Sequence, residues 1–190
     1  MCYQYPCQGQ VRSYPPLWKD IQNQLDGWLR IRFGQEGVEF HYLKIKPVII
    51  AEEFLKDDDN KFSSSLVDYK VWCFNGKAFC IHTLYNRTSH HANFCLFDRN
   101  WNTLEDACIY TSHFPKGDIV VPKPENLDML IEYAERLSAG HPQMRVDFYI
   151  VNGKIYFGEL TMTSAMGYIG YFSQDFLLKM GMEARKGLKI

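Results

Sequence analysis

The sequence predicts an α+β fold in which a largely antiparallel sheet is backed by helices. Three observations predict it. Asn-Gly pairs stand twice between apolar, β-rich runs, at Asn75-Gly76 and Asn152-Gly153, and this is the strongest short-range hairpin signal. Apolar residues recur at three- and four-residue steps over residues 16–32 and again beyond Pro124, the mark of amphipathic helices. Aromatic residues make up 15% of the chain, with 13 Phe and 12 Tyr, and they favour sheet over helix.

A chain of 190 residues accommodates one domain with a real core, or a core plus a small appendage. Apolar residues at 46% and charged residues at 23% give the balance of a globular protein rather than a disordered one. The formal charge of −1 offers no electrostatic footprint for nucleic acid or an anionic membrane. No apolar run reaches the ~18–20 residues of a membrane span. The opening Met-Cys-Tyr-Gln-Tyr-Pro-Cys lacks the basic-then-apolar layout of a signal peptide, so a cytoplasmic location is expected. Cys2, Cys7, Cys73, Cys80, Cys95 and Cys108 contain no C-x-x-C pair. Four of them lie in strand-like contexts, the pattern of reduced core cysteines rather than a disulfide framework or zinc site. His82, His90 and His91 lie near Cys80 in sequence, but at spacings that match no common ligand pattern.

In chain order, Pro15-Pro16 sets a boundary for the first helix, whose stripe is Leu17, Ile21, Leu25, Trp28 and Leu29. Gly34 and Gly37 follow it. Val48 to Leu55 reads as a buried strand by composition, running into a solvated loop at residues 56–65. Asp68 to Phe74 and Lys77 to Tyr85 form the first hairpin, with Val71 and Cys73 on one face and Lys70, Trp72 and Phe74 on the other. A short strand is expected near residues 93–97. Pro124 opens a helix striped by Leu127, Leu130, Ile131, Ala134 and Leu137. The second hairpin runs from Arg145 to Thr161, and a short helix from Ser173 to Met180 is expected to close at Gly181.

The second hairpin carries a carboxylate near each far end, Asp147 and Glu159. Acidic residues are depleted in strands and costly to bury unless paired or metal-bound. The pair marks a site, or it sits at exposed strand ends, or it pairs with Arg145 and Lys154.

Four motifs in order then carry a resemblance: Lys46-Pro47-Val48-Ile49-Ile50-Ala51-Glu52-Glu53-Phe54-Leu55; Asp68-Tyr69-Lys70-Val71-Trp72-Cys73-Phe74-Asn75-Gly76-Lys77; Pro122-Lys123-Pro124-Glu125-Asn126-Leu127; and Arg145-Val146-Asp147 through Gly158-Glu159-Leu160-Thr161. With these the chain resembles the TupA-like ATP-grasp family, from about residue 17 to the mid-170s. Its members turn up in cell-surface polysaccharide and teichuronopeptide synthesis and are often labelled glycosyltransferases. The resemblance implies ATP and magnesium as cofactors. It places Glu52, Glu53, Phe54 and Leu55 at the adenine edge, with Glu53 or Asp59 on the ribose. Asp147 and Glu159 would hold magnesium, with Thr161 where many ATP-grasp enzymes carry an Asn ligand. Lys70 would face phosphate or substrate, and Arg145 would neutralise a developing acyl phosphate. It further implies that residues 1–46 are an irregular N-terminus plus helix left from the preceding ATP-grasp part, and residues 47–190 the C-terminal subdomain. No Lys strand or glycine-rich phosphate loop precedes residue 17, so a partner supplying that part is implied.

Shared placement of the four hairpin residues depends on the turn. A two-residue turn at Asn152-Gly153 in a regular ladder points Asp147 and Glu159 to opposite faces. A three-residue turn with Gly153 at a bulge puts Arg145, Asp147, Glu159 and Thr161 on one face, and this register is expected. The function implied is an ATP- and magnesium-dependent, ligase-like protein that activates a carboxylate on a small-molecule or polymer-precursor substrate as an acyl phosphate. The alternatives are a non-catalytic ATP-grasp module and a glycosyltransferase of polysaccharide synthesis. For the last, Asp57-Asp58-Asp59 matches the letters of a D-x-D metal motif without its strand-to-turn context. Loops 86–91 and 163–172, with Arg87, His90, His91, Tyr168 and Tyr171, would build the acceptor pocket.

Overall fold

A computed structural model describes residues 17–35, 39–57 and 61–188. The chain divides into two compact units, Met1–Phe54 and Leu55–Ile190. In the first, helix α1 spans Trp18–Leu29. Its stripe of Ile21, Leu25 and Trp28 is half-buried, and no residue of the helix is fully buried. A 3-10 turn follows at Phe40–Lys44. Pro15-Pro16 and Gly37 lie outside the described residues.

The run from Val48 to Leu55 is not the expected buried strand. It has no regular structure, and Ile50 and Phe54 are 75% and 72% exposed. Apolar, β-branched composition suits a pleated surface but does not create one, because a strand needs a neighbour to take its backbone hydrogen bonds. Among the described residues this segment pairs with no strand.

The second unit is built on one five-stranded antiparallel sheet. Its strands are β1 Asp68–Phe74, β2 Lys77–Tyr85, β3 Asn93–Asp98, β4 Gln143–Val151 and β5 Lys154–Thr161, in spatial order β3-β2-β1-β4-β5. Both Asn-Gly pairs form two-residue turns. Asn75 and Gly76 have φ of 52° and 72°, and Asn152 and Gly153 have 49° and 72°. Left-handed backbone at both positions is the turn whose twist matches that of its strands.

Helix α2, Leu127–Leu137, covers one face. Leu127, Leu130, Ile131 and Ala134 are buried against Val71, Ile81, Val146 and Phe148, while Leu137 at the end of the stripe is exposed. Each buried Leu or Ile contributes about 1.5–3 kcal/mol relative to exposure, so α2 is a main anchor of the sheet. Helix α3, Gln174–Arg185, covers part of the opposite face. There Trp72, Phe74, Cys80 and Leu96 pack with Phe172, Phe176 and Met180. The helix runs through Gly181 instead of ending there. A Cβ at Gly181 would meet nothing within 4 Å, and Phe176 and Met180 dock the helix strongly enough to override a residue that costs only about 1 kcal/mol in a helix interior. Cys73, Cys80, Cys95 and Cys108 are free thiols. No helix among the described residues is long and apolar enough to cross a membrane.

The second hairpin departs from expectation in an instructive way. Val151 pairs with Lys154 across a two-residue turn, so the three-residue turn is not formed. The ladder nevertheless pairs Asp147 with Glu159 and Arg145 with Thr161, because the register shifts between Asp147 and Phe148. The extra residue is Gly158. A Cβ there would lie 3.1 Å from the carbonyl oxygen of Asp147, and a residue without one lets the bulged strand close on its partner. The bulge has moved from the turn into the strand, and the shared face survives.

Candidate active site

The face of the sheet on the α3 side holds the charged residues. Alternation along β1 brings Asp68, Lys70 and Trp72 to this face, and register places Lys70 between His82 of β2 and Asp147 of β4. Arg145, Asp147, Glu159 and Thr161 follow from β4 and β5. Asp68, Lys70, Arg145 and Asp147 are all buried.

These side chains form one ionic network. The Lys70 ammonium donates to Asp147 Oδ2 at 2.5 Å and lies 2.7 Å from Asp68 Oδ2. Arg145 donates from Nε to Asp147 Oδ1 and from Nη2 to Asp147 Oδ2, both at 2.7 Å. The same Nη2 reaches Glu159 Oε1 at 2.8 Å and Thr161 Oγ1 at 3.0 Å. Nη1 donates to Ser164 Oγ at 2.9 Å, and Thr161 Oγ1 donates to Glu159 Oε1 at 3.2 Å. The guanidinium carbon stands 6.0 Å from the centre of the Trp72 ring, a cation–π contact.

Burial and charge push the two buried aspartates apart. Burial alone would raise the Asp147 carboxyl, but the Lys70 charge and the hydrogen bonds and charge of Arg145 hold it below the ordinary 3.8. Asp68 goes the other way. Burial raises it, Lys70 opposes, and the Asp147 charge adds to the rise. Burial is the largest influence and outweighs Lys70 and Arg87, the latter at 3.6 Å, and Oδ1 is buried with no hydrogen-bond partner. The Arg145 guanidinium is raised: burial lowers it, but its hydrogen bonds and charge contact with Asp147 win.

Beside Lys70, both ring nitrogens of His82 are buried without a partner. Phe94, Tyr171 and Phe172 ring centres surround the imidazole at 5.2, 5.2 and 5.6 Å. Burial, reinforced by the charges of Lys70 and Arg145, lowers its pKa to about 3, so the ring is neutral in ordinary buffers.

The residues expected to hold magnesium thus meet at a point. Asp147 Oδ2, Glu159 Oε1 and Thr161 Oγ1 converge on Arg145 Nη2, a nitrogen with two protons and three acceptors. Hard oxygen donors of this kind fit a magnesium ion, which takes one or two carboxylates and completes its shell with phosphate oxygens and water. No cluster of three or more His, Cys, Asp or Glu among the described residues is placed to hold an ion by itself. Two carboxylates and a hydroxyl can therefore supply part of a magnesium shell, with the rest coming from a ligand.

Of the remaining expected site residues, Glu52, Glu53 and Phe54 are exposed and belong to the first unit, while Leu55 is half-buried at the start of the second. Asp59 lies outside the described residues. A surface cavity of about 320 Å³ between Arg99, Asp128 and Glu135 contains none of the expected residues. Sequence reasoning missed Asp68, Ser164 and the placement of His82. Extending the Lys70–Trp72–Phe74 alternation by one step would have added Asp68. Ser164, on the 3-10 turn Ser164–Gly167, gave no signal.

The family model for TupA-like ATPgrasp matches residues 18–184 of the chain. Neither a curated protein nor a solved structure matches it.

Proposed function

Because the chain belongs to the TupA-like ATP-grasp family, we propose that it binds ATP with magnesium and activates a carboxylate on a surface-polymer precursor as an acyl phosphate. The observation that carries the reading is the convergence of Lys70, Arg145, Asp147, Glu159 and Thr161 on one sheet face. Asp147, Glu159 and Thr161 would hold the ion. An ion held there would supply positive charge against the phosphates and against charge developing on a transferring phosphoryl group.

Lys70 and Arg145 present fixed positive charge in a largely buried setting, where it acts on phosphate oxygens more strongly than it would in water. Arg145 suits two oxygens of one phosphate or acyl phosphate, because its planar fork is rigid. To Glu52, Glu53, Phe54 and Leu55 the proposal gives the adenine edge, and to Glu53 or Asp59 the ribose. The place in cell-surface polysaccharide or teichuronopeptide synthesis follows from the family resemblance.

The test is thermal unfolding with and without magnesium and ATP, in the wild type and in Asp147→Asn. A ligand that binds only the folded state raises its apparent stability, by about 2.7 kcal/mol at a hundredfold excess over Kd. A magnesium-dependent rise with ATP in the wild type, absent in Asp147→Asn, is expected. No rise in the wild type overturns the proposal.

A further inference from the structure

We propose that Arg145 is the resident cation of the three-oxygen cradle, so that its guanidinium and a divalent ion occupy that point alternately. The inference rests on the magnesium site proposed above and goes beyond it. Three oxygens from Asp147, Glu159 and Thr161 lie 2.7, 2.8 and 3.0 Å from one nitrogen, Nη2. Two positive centres cannot share that position. An ion that takes these oxygens must displace Nη2.

The displacement has an electrostatic consequence. Arg145 is a buried side chain, and a buried charge stripped of its partners is strongly unfavourable. Outside the cradle it keeps Nε on Asp147 Oδ1 at 2.7 Å, the Trp72 ring and the neutral Ser164 hydroxyl, and one oxygen of a carboxylate already bound to an ion does not offset the lost Glu159 contact and the lost second bond to Asp147. A divalent ion arriving alone therefore binds against the cost of unpairing Arg145. An ion arriving with a polyphosphate does not, because the phosphate oxygens give the guanidinium a new anionic partner. Ion and polyphosphate each favour the other's binding, and by reciprocity the coupling is the same in both directions.

Lys70 reinforces the arrangement. It stays on Asp147 and Asp68, so removing Arg145 does not leave Asp147 bare. An Arg145→Gln variant of the full chain keeps a counter-ion in the cradle and can be examined folded. The donor set itself, two carboxylates and a hydroxyl, is unchanged by the substitution.

The probe is Mn²⁺, titrated into wild type and Arg145→Gln by calorimetry and by loss of its free-ion electron paramagnetic resonance signal, with and without ATP. Three results are expected. Mn²⁺ alone binds Arg145→Gln at least tenfold more tightly than wild type. ATP tightens Mn²⁺ binding to wild type by more than it does to the variant. The gain disappears in the Arg145→Gln, Asp147→Asn double variant, which places the ion in the cradle. Mn²⁺ binding that is equal or weaker in Arg145→Gln overturns the exclusion while leaving the magnesium site standing. No Mn²⁺ binding to either protein, with ATP or without, overturns both. Should Arg145→Gln fail to fold, the Nε–H resonance of Arg145 in ¹⁵N-arginine-labelled wild type decides the matter. It should shift and exchange faster with solvent when Mg²⁺ and ATP are added, and an unaltered resonance under saturating ligand overturns the proposal.

Discussion

Replacing Asp147 by Asn is the sharpest perturbation of this network. The carboxylate accepts three charged hydrogen bonds, from Lys70 Nζ, Arg145 Nε and Arg145 Nη2, and its side chain is 4% exposed. An amide can accept on one oxygen only, and its NH₂ group would point a donor at a cation. Breaking a buried ion pair by removing one partner costs about 3–5 kcal/mol, which corresponds to a fall in Tm of roughly 10–20 °C for a domain of this size. Asp68→Asn, two positions along β1 from Lys70, should behave differently. Burial raises its carboxyl and leaves Oδ1 unpartnered, so a neutral isostere should cost less there than at Asp147. The two also differ in pH dependence. Because folding lowers the Asp147 pKa, its contribution is present above the unfolded value of about 3.9 and is lost as pH falls through the lower folded value. Asp68 is raised, so its share is present below that unfolded value and declines as pH rises through the folded one. Urea denaturation of wild type and both variants at neutral pH, near pH 4 and about a unit or more below it measures this. Equal losses, or a loss under about 1 kcal/mol for Asp147→Asn, would refute the assignment of Asp147 as the anionic hub.

Three further outcomes follow from packing and burial. His82→Leu removes two buried nitrogens without partners and should raise stability by about 1–2 kcal/mol at neutral pH. Since folding lowers this imidazole from its ordinary 6.5 to about 3, wild type loses stability as pH falls through that window. The variant should lose less, as read from urea midpoints across it. Gly158→Ala forces the Asp147 carbonyl back from a 3.1 Å approach and should cost about 1–2 kcal/mol, together with any magnesium-dependent ATP stabilisation; an unperturbed variant would contradict the bulge as the device that orients Glu159. Gly181→Ala, where an added methyl meets nothing within 4 Å, should stabilise α3 by up to about 1 kcal/mol, and thermal unfolding of the variant checks it.

Much of the sheet was legible because its signals are local. The Asn-Gly turns, the alternation through β1 and the α2 stripe each depend on a few neighbouring residues. Val48 to Leu55 misled because pairing is not local: the same apolar run is a strand beside a neighbour and an irregular segment without one. Gly181 misled in the opposite sense, since buried Phe176 and Met180 override a breaker. At the site, the sequence identified Lys70, Arg145, Asp147, Glu159 and Thr161 as candidates, and the fold places all five on one face. What it could not show was that Arg145 already stands among the oxygens expected to hold the ion. That is a matter of rotamers and distances, which no spacing encodes.

The Gly158 bulge has a consequence for counting. Across a two-residue turn in a regular ladder, facing residues are always an odd number of positions apart, whereas Asp147 and Glu159 are an even number apart. Their meeting on one side therefore demands one surplus residue between them. That residue acts as a phase correction, and the strand on its turn side keeps the parity set by Asn152-Gly153. Excising Gly158 outright would leave a regular ladder with Glu159 still opposite Asp147, whereas ironing the bulge flat while keeping the residue would turn Glu159 toward α2. For this hairpin, a deletion is geometrically gentler than a slip. A related chain that lacks the surplus residue would accordingly need a gap at Gly158, since aligning it without one would assign Glu159 and Thr161 to the wrong side of the sheet.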